Sequence, residues 1–300
     1  MKFKLAVVLL AVSSVLPALS QQPSFLAEDA GNKYWIRTDV VYDVANGHEN
    51  KLDVIYPHNA TAAVPTVIYI HGGGWIWGDK AGAVLEVLPY LQMGWAAVNV
   101  EYRMASVSKA PAAVEDCRCA LRWIVRNAKD YHIDPARLVV TGHSAGGHLS
   151  LTTGMLTESD GLDNDCAGDG KEAEPRIAAI VNWYGITDVD DLLAGKNRKN
   201  YAVEWFGSMR NKDEIARLVS PLSYVRKENP PIISIHGDVD DVVPYDHAVR
   251  LHRALEQAGV PNLLFTVKGG AHGQFTDSDN RKAYAAIREF LAKFNLGPAN

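Results

Sequence analysis

Ser144 stands between two glycines in Gly142-His143-Ser144-Ala145-Gly146, preceded by the run Leu138-Val139-Val140-Thr141 and followed by a helix-forming stretch. Strand, tight turn and helix form the context in which G-x-S-x-G lifts a serine hydroxyl out of the end of a sheet. A serine hydroxyl is a poor nucleophile at neutral pH. It needs a base beside it, and the base needs a carboxylate to hold its tautomer. Both follow in the chain: SIHGDVDDVVP carries Asp238, Asp240 and Asp241 past one strand, and VKGGAHGQF carries His272 past another. Asp240 is the choice among the three acids, because it lies far enough beyond the strand for a loop to turn it toward His272. Asp238 and Asp241 stay open, with turn capping as their other role. The glycines around His272 favour a loop histidine over a core one.

A third strand end carries His71-Gly72-Gly73-Gly74-Trp75. Three successive glycines let backbone N–H groups approach a developing oxyanion with no side chain in the way, and one such donor is worth about 3–4 kcal/mol to a transition state. The pattern assigns Gly73 and Gly74, with the N–H of Ala145 just after the nucleophile. Trp75 and Trp77 then either line an acyl or sugar pocket or pack the scaffold. Tyr102 and Arg103 read as scaffolding at a strand end, and His143 and His148 have no position in the triad.

These motifs need strand ends to sit on. WIRTDVVYDV and KLDVIYP, joined by the turn residues of ANGHEN, read as an opening β-hairpin. TVIYIH, AAVNVEYR, RLVVTG, AAIVNWYG, PIISIHG and LLFTVKG are short apolar runs of the kind buried on both faces of a sheet. Helical patterns separate them at 111–129, 145–156, 245–258 and 279–294. The alternation predicts an α/β fold with a doubly wound, mainly parallel sheet of about eight strands, helices on both faces, and a site at the carboxyl ends of the strands. The segment 186–230 breaks the rhythm with polar residues and Tyr201, Trp205 and Phe206; it reads as a small lid insertion or as a plain surface insertion.

HGGGW, GHSAGGHL, HGDVDDVVP and GGAHGQF together resemble the α/β-hydrolase superfamily, and within it the hormone-sensitive-lipase-like and secreted carbohydrate-esterase-like (acetyl-xylan or feruloyl) carboxylesterases. LDVIYP, NVEYR and EDCRCALRW extend the match to about Leu52–Leu291. The resemblance implies Ser144 as nucleophile, Asp240 as orienting acid and His272 as base. It further implies Gly73, Gly74 and Ala145 as oxyanion donors, with His71 holding the glycine loop in shape. Many hormone-sensitive-lipase relatives carry an N-terminal helical cap, whereas here only about fifteen residues separate the leader from the first strand, which argues against long-chain lipase action.

The leader itself is MKFKLAVVLLAVSSVLPALS: two lysines, a short apolar run and small residues at Ala18 and Ser20. Residues 1–20 are expected to be a signal peptide, leaving 21–300 as a single catalytic domain that is secreted or periplasmic, without stable membrane insertion. Removing the leader takes away Lys2 and Lys4 and leaves a net charge of −7, which disfavours nucleic acid as a partner. Of the three cysteines, Cys119 is expected to pair with Cys166, since Cys117 falls on the apolar stripe of Val114, Leu121 and Ile124 while Cys119 shares a polar, outward face with Glu115, Arg122 and Arg126. C-x-C with one distant cysteine has no zinc spacing. No metal or organic cofactor is implied, and the expected partner is a small-molecule or polysaccharide ester substrate. A serine peptidase of the prolyl-oligopeptidase kind and a non-catalytic ligand-binding homologue are the rival readings.

Overall fold

The computed structural model describes residues 30–168 and 174–298; the leader over residues 1–20 lies outside them. The chain divides into the segment Met1–Asn32 and a compact unit, Lys33–Asn300, to which everything below belongs. Among the described residues its eight strands are β1 (Tyr34–Ala45), β2 (His48–Pro57), β3 (Val64–Ile70), β4 (Ala96–Val100), β5 (Ile133–His143), β6 (Ala179–Trp183), β7 (Ile232–Gly237) and β8 (Asn262–Val267). They lie in one sheet in the order β1-β2-β4-β3-β5-β6-β7-β8.

β1 and β2 form the expected hairpin, closed by Asn46 and Gly47 with φ of 53° and 80°. Two consecutive left-handed residues match the right-handed twist of the strands, and Asn-Gly adopts them at least cost. β2 pairs antiparallel with β4, and from β4 onward every pairing is parallel. β4, β6 and β7 are buried at every residue, and β3 at all but its first, so both faces of the sheet are covered.

Among the described residues after β1, the α-helices are α1 (Leu88–Leu91), α2 (Ala112–Arg126), α3 (Ala145–Met155), α4 (Asn200–Phe206), α5 (Lys212–Leu218), α6 (Asp246–Ala258) and α7 (Asp277–Ala292). α6 stops at Gly259 with φ of 74°, the left-handed C′ position that glycine fills without penalty. α2 departs from its sequence reading on one face. Cys119 does bond to Cys166, but it is buried, because the loop over 162–166 covers the face that looked outward. There Asp163 accepts from Arg118 Nη2 at 2.6 Å and from Arg122 Nε at 3.0 Å. Cys117 is a buried thiol, as its stripe position requires.

The segment 186–230 holds α4, α5 and short 3₁₀ turns. It is anchored in the common core by Ile186, Val189, Leu192, Trp205, Phe206 and Val219. Its polar surface residues hide these anchors from a reading of composition alone.

Candidate active site

β3, β5, β6, β7 and β8 are consecutive parallel neighbours, so their carboxyl ends line up along one edge of the sheet. The glycine loop leaves β3, Ser144 leaves β5, Tyr184 follows β6, Asp240 follows β7 and His272 follows β8.

Ser144 has φ of 58° and ψ of −119°, a region that costs a residue with a Cβ about 1–3 kcal/mol and survives only where surroundings enforce it. The enforcement is visible. Its N–H donates to the Trp183 carbonyl at 2.9 Å, and its carbonyl accepts the His148 N–H at 3.0 Å as the first bond of α3. A Cβ on Gly142 would lie 2.3 Å from the Ile70 carbonyl oxygen, and one on Gly146 only 2.0 Å from the same atom. The bracketing glycines therefore let β3, β5 and α3 converge on one point and leave the Ser144 side chain facing out.

The Ser144 hydroxyl donates to His272 Nε2 at 2.9 Å, and His272 Nδ1 donates to Asp240 Oδ2 at 2.8 Å. Asp240 Oδ1 accepts the N–H groups of Val242 and Val243 at 2.8 and 2.9 Å. Burial alone would raise the Asp240 carboxyl, but hydrogen bonds from His236, His272 and the backbone outweigh it and hold the group well below the usual carboxylate range. Asp238 is turned away, ion-paired to Lys268 at 3.0 Å and accepting the Gly269 N–H at 2.7 Å. The carbonyl of Asp241 accepts from Lys199. Of the three acids, Asp240 is the one hydrogen-bonded to His272.

In the glycine loop, Gly73 and Gly74 have φ of 116° and 60°, and a Cβ on Gly73 would fall 1.8 Å from the Trp77 carbonyl oxygen. The His71 ring stacks on Tyr102 at 4.4 Å, and its Nδ1 donates to the Gly72 carbonyl at 2.7 Å, fixing the loop where it leaves β3. Among the described residues, neither the Gly73 nor the Gly74 N–H makes a backbone hydrogen bond. Both glycines line a cleft of about 700 Å³ that also takes in Ser144, His272, His143, Tyr184, Tyr201, Trp77 and Val242.

The two tryptophans part company. Trp77 is exposed and lines the cleft. Trp75 is fully enclosed, stacked on Trp205 with centroids 4.1 Å apart, and its Nε1 donates to His148 Nδ1 at 3.2 Å. It belongs to the core and not to the pocket wall. His148 in turn reaches the Val219 carbonyl through Nε2 at 2.7 Å, so one buried imidazole ties the glycine loop and 186–230 to α3.

Tyr184 went unnoticed in the sequence. It has φ of 39° and sets its ring edge against His272, centroids 4.7 Å apart. Its only sequence signal is its place one residue past a buried strand.

A hydroxyl, an imidazole and a carboxylate in this relay, beside two glycine N–H groups at a cleft, can carry out acyl transfer. Residues 52–255 match the sequence profile of the BD-FAE family. The chain belongs to that family. A second profile, TAP-like protein, matches residues 214–298. Esterase LipQ of Mycobacterium tuberculosis is 26% identical over 85% of this chain and 61% of its own length. Ethyl acetate hydrolase of Pseudomonas putida is 28% identical over 78% of this chain and 74% of its own. The chain spans about three-fifths of LipQ. Among solved structures, a truncated carbohydrate esterase from gut microbiota superimposes with a TM-score of 0.73 at 27% identity, covering 89% of this chain and 98% of that one. The fold is that of the α/β hydrolases.

Proposed function

We propose that the protein is a serine carboxylesterase of an oxidising, extracytoplasmic compartment that cleaves short-chain acyl esters, acetyl or feruloyl esters of polysaccharides among them. The observation that carries this reading is the unbroken relay from Ser144 through His272 to Asp240 at 2.9 and 2.8 Å.

Ser144 Oγ attacks the ester carbonyl carbon as His272 Nε2 takes its proton; Asp240 stabilises the imidazolium that results. The tetrahedral oxyanion is held by the N–H groups of Gly73, Gly74 and Ala145. Collapse expels the alcohol, which leaves with the proton from His272. Water then attacks the acyl carbon as His272 takes its proton, and the second tetrahedral intermediate collapses: the bond to Ser144 Oγ breaks, His272 returns the proton to that oxygen, and the acid departs.

The names of the relatives support an ester as the bond cleaved, and ethyl acetate hydrolase supports a short acyl group. Export rests on the apolar leader and on the Cys119–Cys166 disulfide, a bond that persists in oxidising compartments. Among the described residues no helix is long and apolar enough to cross a membrane.

The test is hydrolysis of 4-nitrophenyl acetate, butyrate, octanoate and palmitate by wild type and Ser144→Ala, with an amide analogue alongside. High activity on the two short esters, lost by orders of magnitude in the variant, supports the reading. Faster cleavage of the amide would turn it toward a peptidase, and no difference between wild type and variant would remove catalysis at Ser144 altogether.

A further inference from the structure

His272 reaches the site on a loop that its backbone does little to hold. The loop runs from Lys268 to Thr276 and carries Gly269, Gly270 and Gly273, the first and last with φ of 69° and 71°. Among the described residues, the N–H and carbonyl groups of residues 271–275 make no backbone hydrogen bond. The imidazole is tied by two bonds, Nε2 to Ser144 Oγ and Nδ1 to Asp240 Oδ2. Both act at ring nitrogens, so the ring can still turn about the line that joins them, which tilts its N–H and its lone pair away from their partners.

One of the two bonds is temporary. Once the acyl group sits on Ser144 Oγ, that oxygen has no proton to donate, and His272 keeps only its bond to Asp240. In that interval Nε2 must take a proton from water as the water oxygen bonds to the acyl carbon. A contact other than a hydrogen bond has to keep the ring plane in place.

Tyr184 stands where that support is needed. Its ring lies against the His272 ring with centroids 4.7 Å apart and planes at 65°, and it meets Phe275, from the same loop, at 5.8 Å and His143 at 5.5 Å. A Cβ on Gly273 would lie 2.5 Å from the Tyr184 hydroxyl, so the residue after His272 must be bare for the tyrosine to pack there. Tyr184 is itself anchored. Its N–H donates to the Ile235 carbonyl at 2.8 Å, the Trp183 carbonyl before it accepts the Ser144 N–H at 2.9 Å, and the Gly185 N–H after it donates to Asn182 Oδ1 at 3.0 Å. These bonds hold it at φ of 39°, a conformation that a bulky residue keeps only under constraint. The wall against the base is thus built on the peptides that also position the nucleophile.

We propose that Tyr184 is a positioning residue for deacylation: its ring holds the plane of the His272 imidazole while Ser144 is acylated and cannot. This rests on the esterase reading and adds a residue to it.

The experiment follows 4-nitrophenyl acetate through the first turnover and into the steady state in wild type, Tyr184→Ala, Tyr184→Leu and Tyr184→Phe. In the alanine and leucine variants kcat is expected to fall about 10²-fold, the cost of a displacement of about 1 Å. The ratio kcat/KM, which reports acylation, should fall by less than about tenfold, so that acyl-enzyme accumulates and 4-nitrophenolate appears in a burst of about one equivalent per active site. Phenylalanine keeps the ring and should restore kcat to within about fivefold of wild type. A kcat within about threefold of wild type in both the alanine and leucine variants overturns the proposal, as does a loss shared equally by kcat and kcat/KM with no burst. A phenylalanine variant as slow as the alanine one overturns it too, because the hydroxyl and not the ring would then be acting. A wild type no faster than Ser144→Ala removes the esterase reading and this role together. Circular dichroism melts show whether a slow variant is folded, and Tyr184→Leu, which keeps more of the buried volume, carries the test if alanine does not fold.

Discussion

His236 Nε2 lies 3.3 Å from Oδ2 of Asp240, the oxygen that His272 Nδ1 also reaches. His236 is completely buried, and its Nε2 is 3.0 Å from the Val243 carbonyl, an acceptor, so that nitrogen carries the proton and donates. Asp240 thus receives two imidazole and two backbone donors, a setting built for a carboxylate. Asp240→Asn places an amide where those donors converge and leaves His272 free to take the other tautomer. The expected loss in kcat is about 10⁴-fold, the size seen when a triad carboxylate becomes an amide. Asp238→Asn, which disrupts only the surface pair with Lys268, should stay within about twofold of wild type. Equal losses in the two variants would place the orienting acid elsewhere.

Gly73→Ala tests the glycine loop. The added methyl would meet the Trp77 carbonyl oxygen at 1.8 Å, and φ of 116° is itself closed to alanine, so the loop must move. The Gly73 N–H moves with it, and loss of one oxyanion donor lowers kcat by about 10²–10³-fold. KM for a short ester should change far less, because the donor acts on the transition state. Stoichiometric labelling of Ser144 by a phosphonate would show that the nucleophile survives in the variant.

Acid sensitivity follows from histidines held neutral by burial. His143 is pushed down to about 3, and His148, His247 and His252 each to about 4. The unfolded chain binds protons on these rings from about pH 6.5 downward, while the folded chain does not. Their folded values are depressed, so the stability they confer is complete above about pH 6.5 and is lost as pH falls toward their folded values. Each ring that takes up a proton only on unfolding contributes a slope of about 1.4 kcal/mol per pH unit. Thermal melts should therefore show Tm level above pH 7 and falling steeply from pH 6.5 to 5, and His252→Gln should flatten that fall. A Tm independent of pH across this window would mean that the rings are protonated in the fold.

The strand runs, the order serine, acid, histidine and the glycine loop were all legible, because each depends on residues close in sequence. Three things were not. Trp75 and Trp77 are two residues apart, and only the left-handed Trp75, φ 62°, sends one into the core and leaves the other at the cleft; nothing in the sequence marks a tryptophan for that conformation. The polar face of α2 looked outward because its cover, the loop at 162–166, comes from about forty residues away. A cavity of about 400 Å³ beside the cleft combines Glu86 of the 3₁₀ turn before α1, Trp183 at the end of β6, and Asn280 and Tyr284 of α7, which only the tertiary fold assembles. The segment 186–230 illustrates the same limit, since Trp205 shows its role only when stacked on Trp75.

The buried cluster on α2 should matter to stability and not to chemistry. Arg118 is 1% exposed and donates to the carbonyls of Thr153 and Leu156 as well as to Asp163, so it ties the carboxyl end of α3 to the loop that Cys166 fastens to Cys119. Asp163→Asn removes the charge that Arg118 and Arg122 share, leaving the buried Arg118 guanidinium without its carboxylate and Arg122 with only the more distant Glu158, at 3.7 Å. Breaking a buried pair in this way costs about 3–5 kcal/mol. At roughly 2–4 °C per kcal/mol for a chain of this size, Tm should fall by about 6–20 °C. Ser144 lies at the other end of α3, about 16 Å away at 1.5 Å per residue, so kcat at 25 °C should remain within about twofold of wild type. A loss of activity at 25 °C with an unchanged melt would contradict this division, and would mean that α3 transmits the state of its far end to the nucleophile.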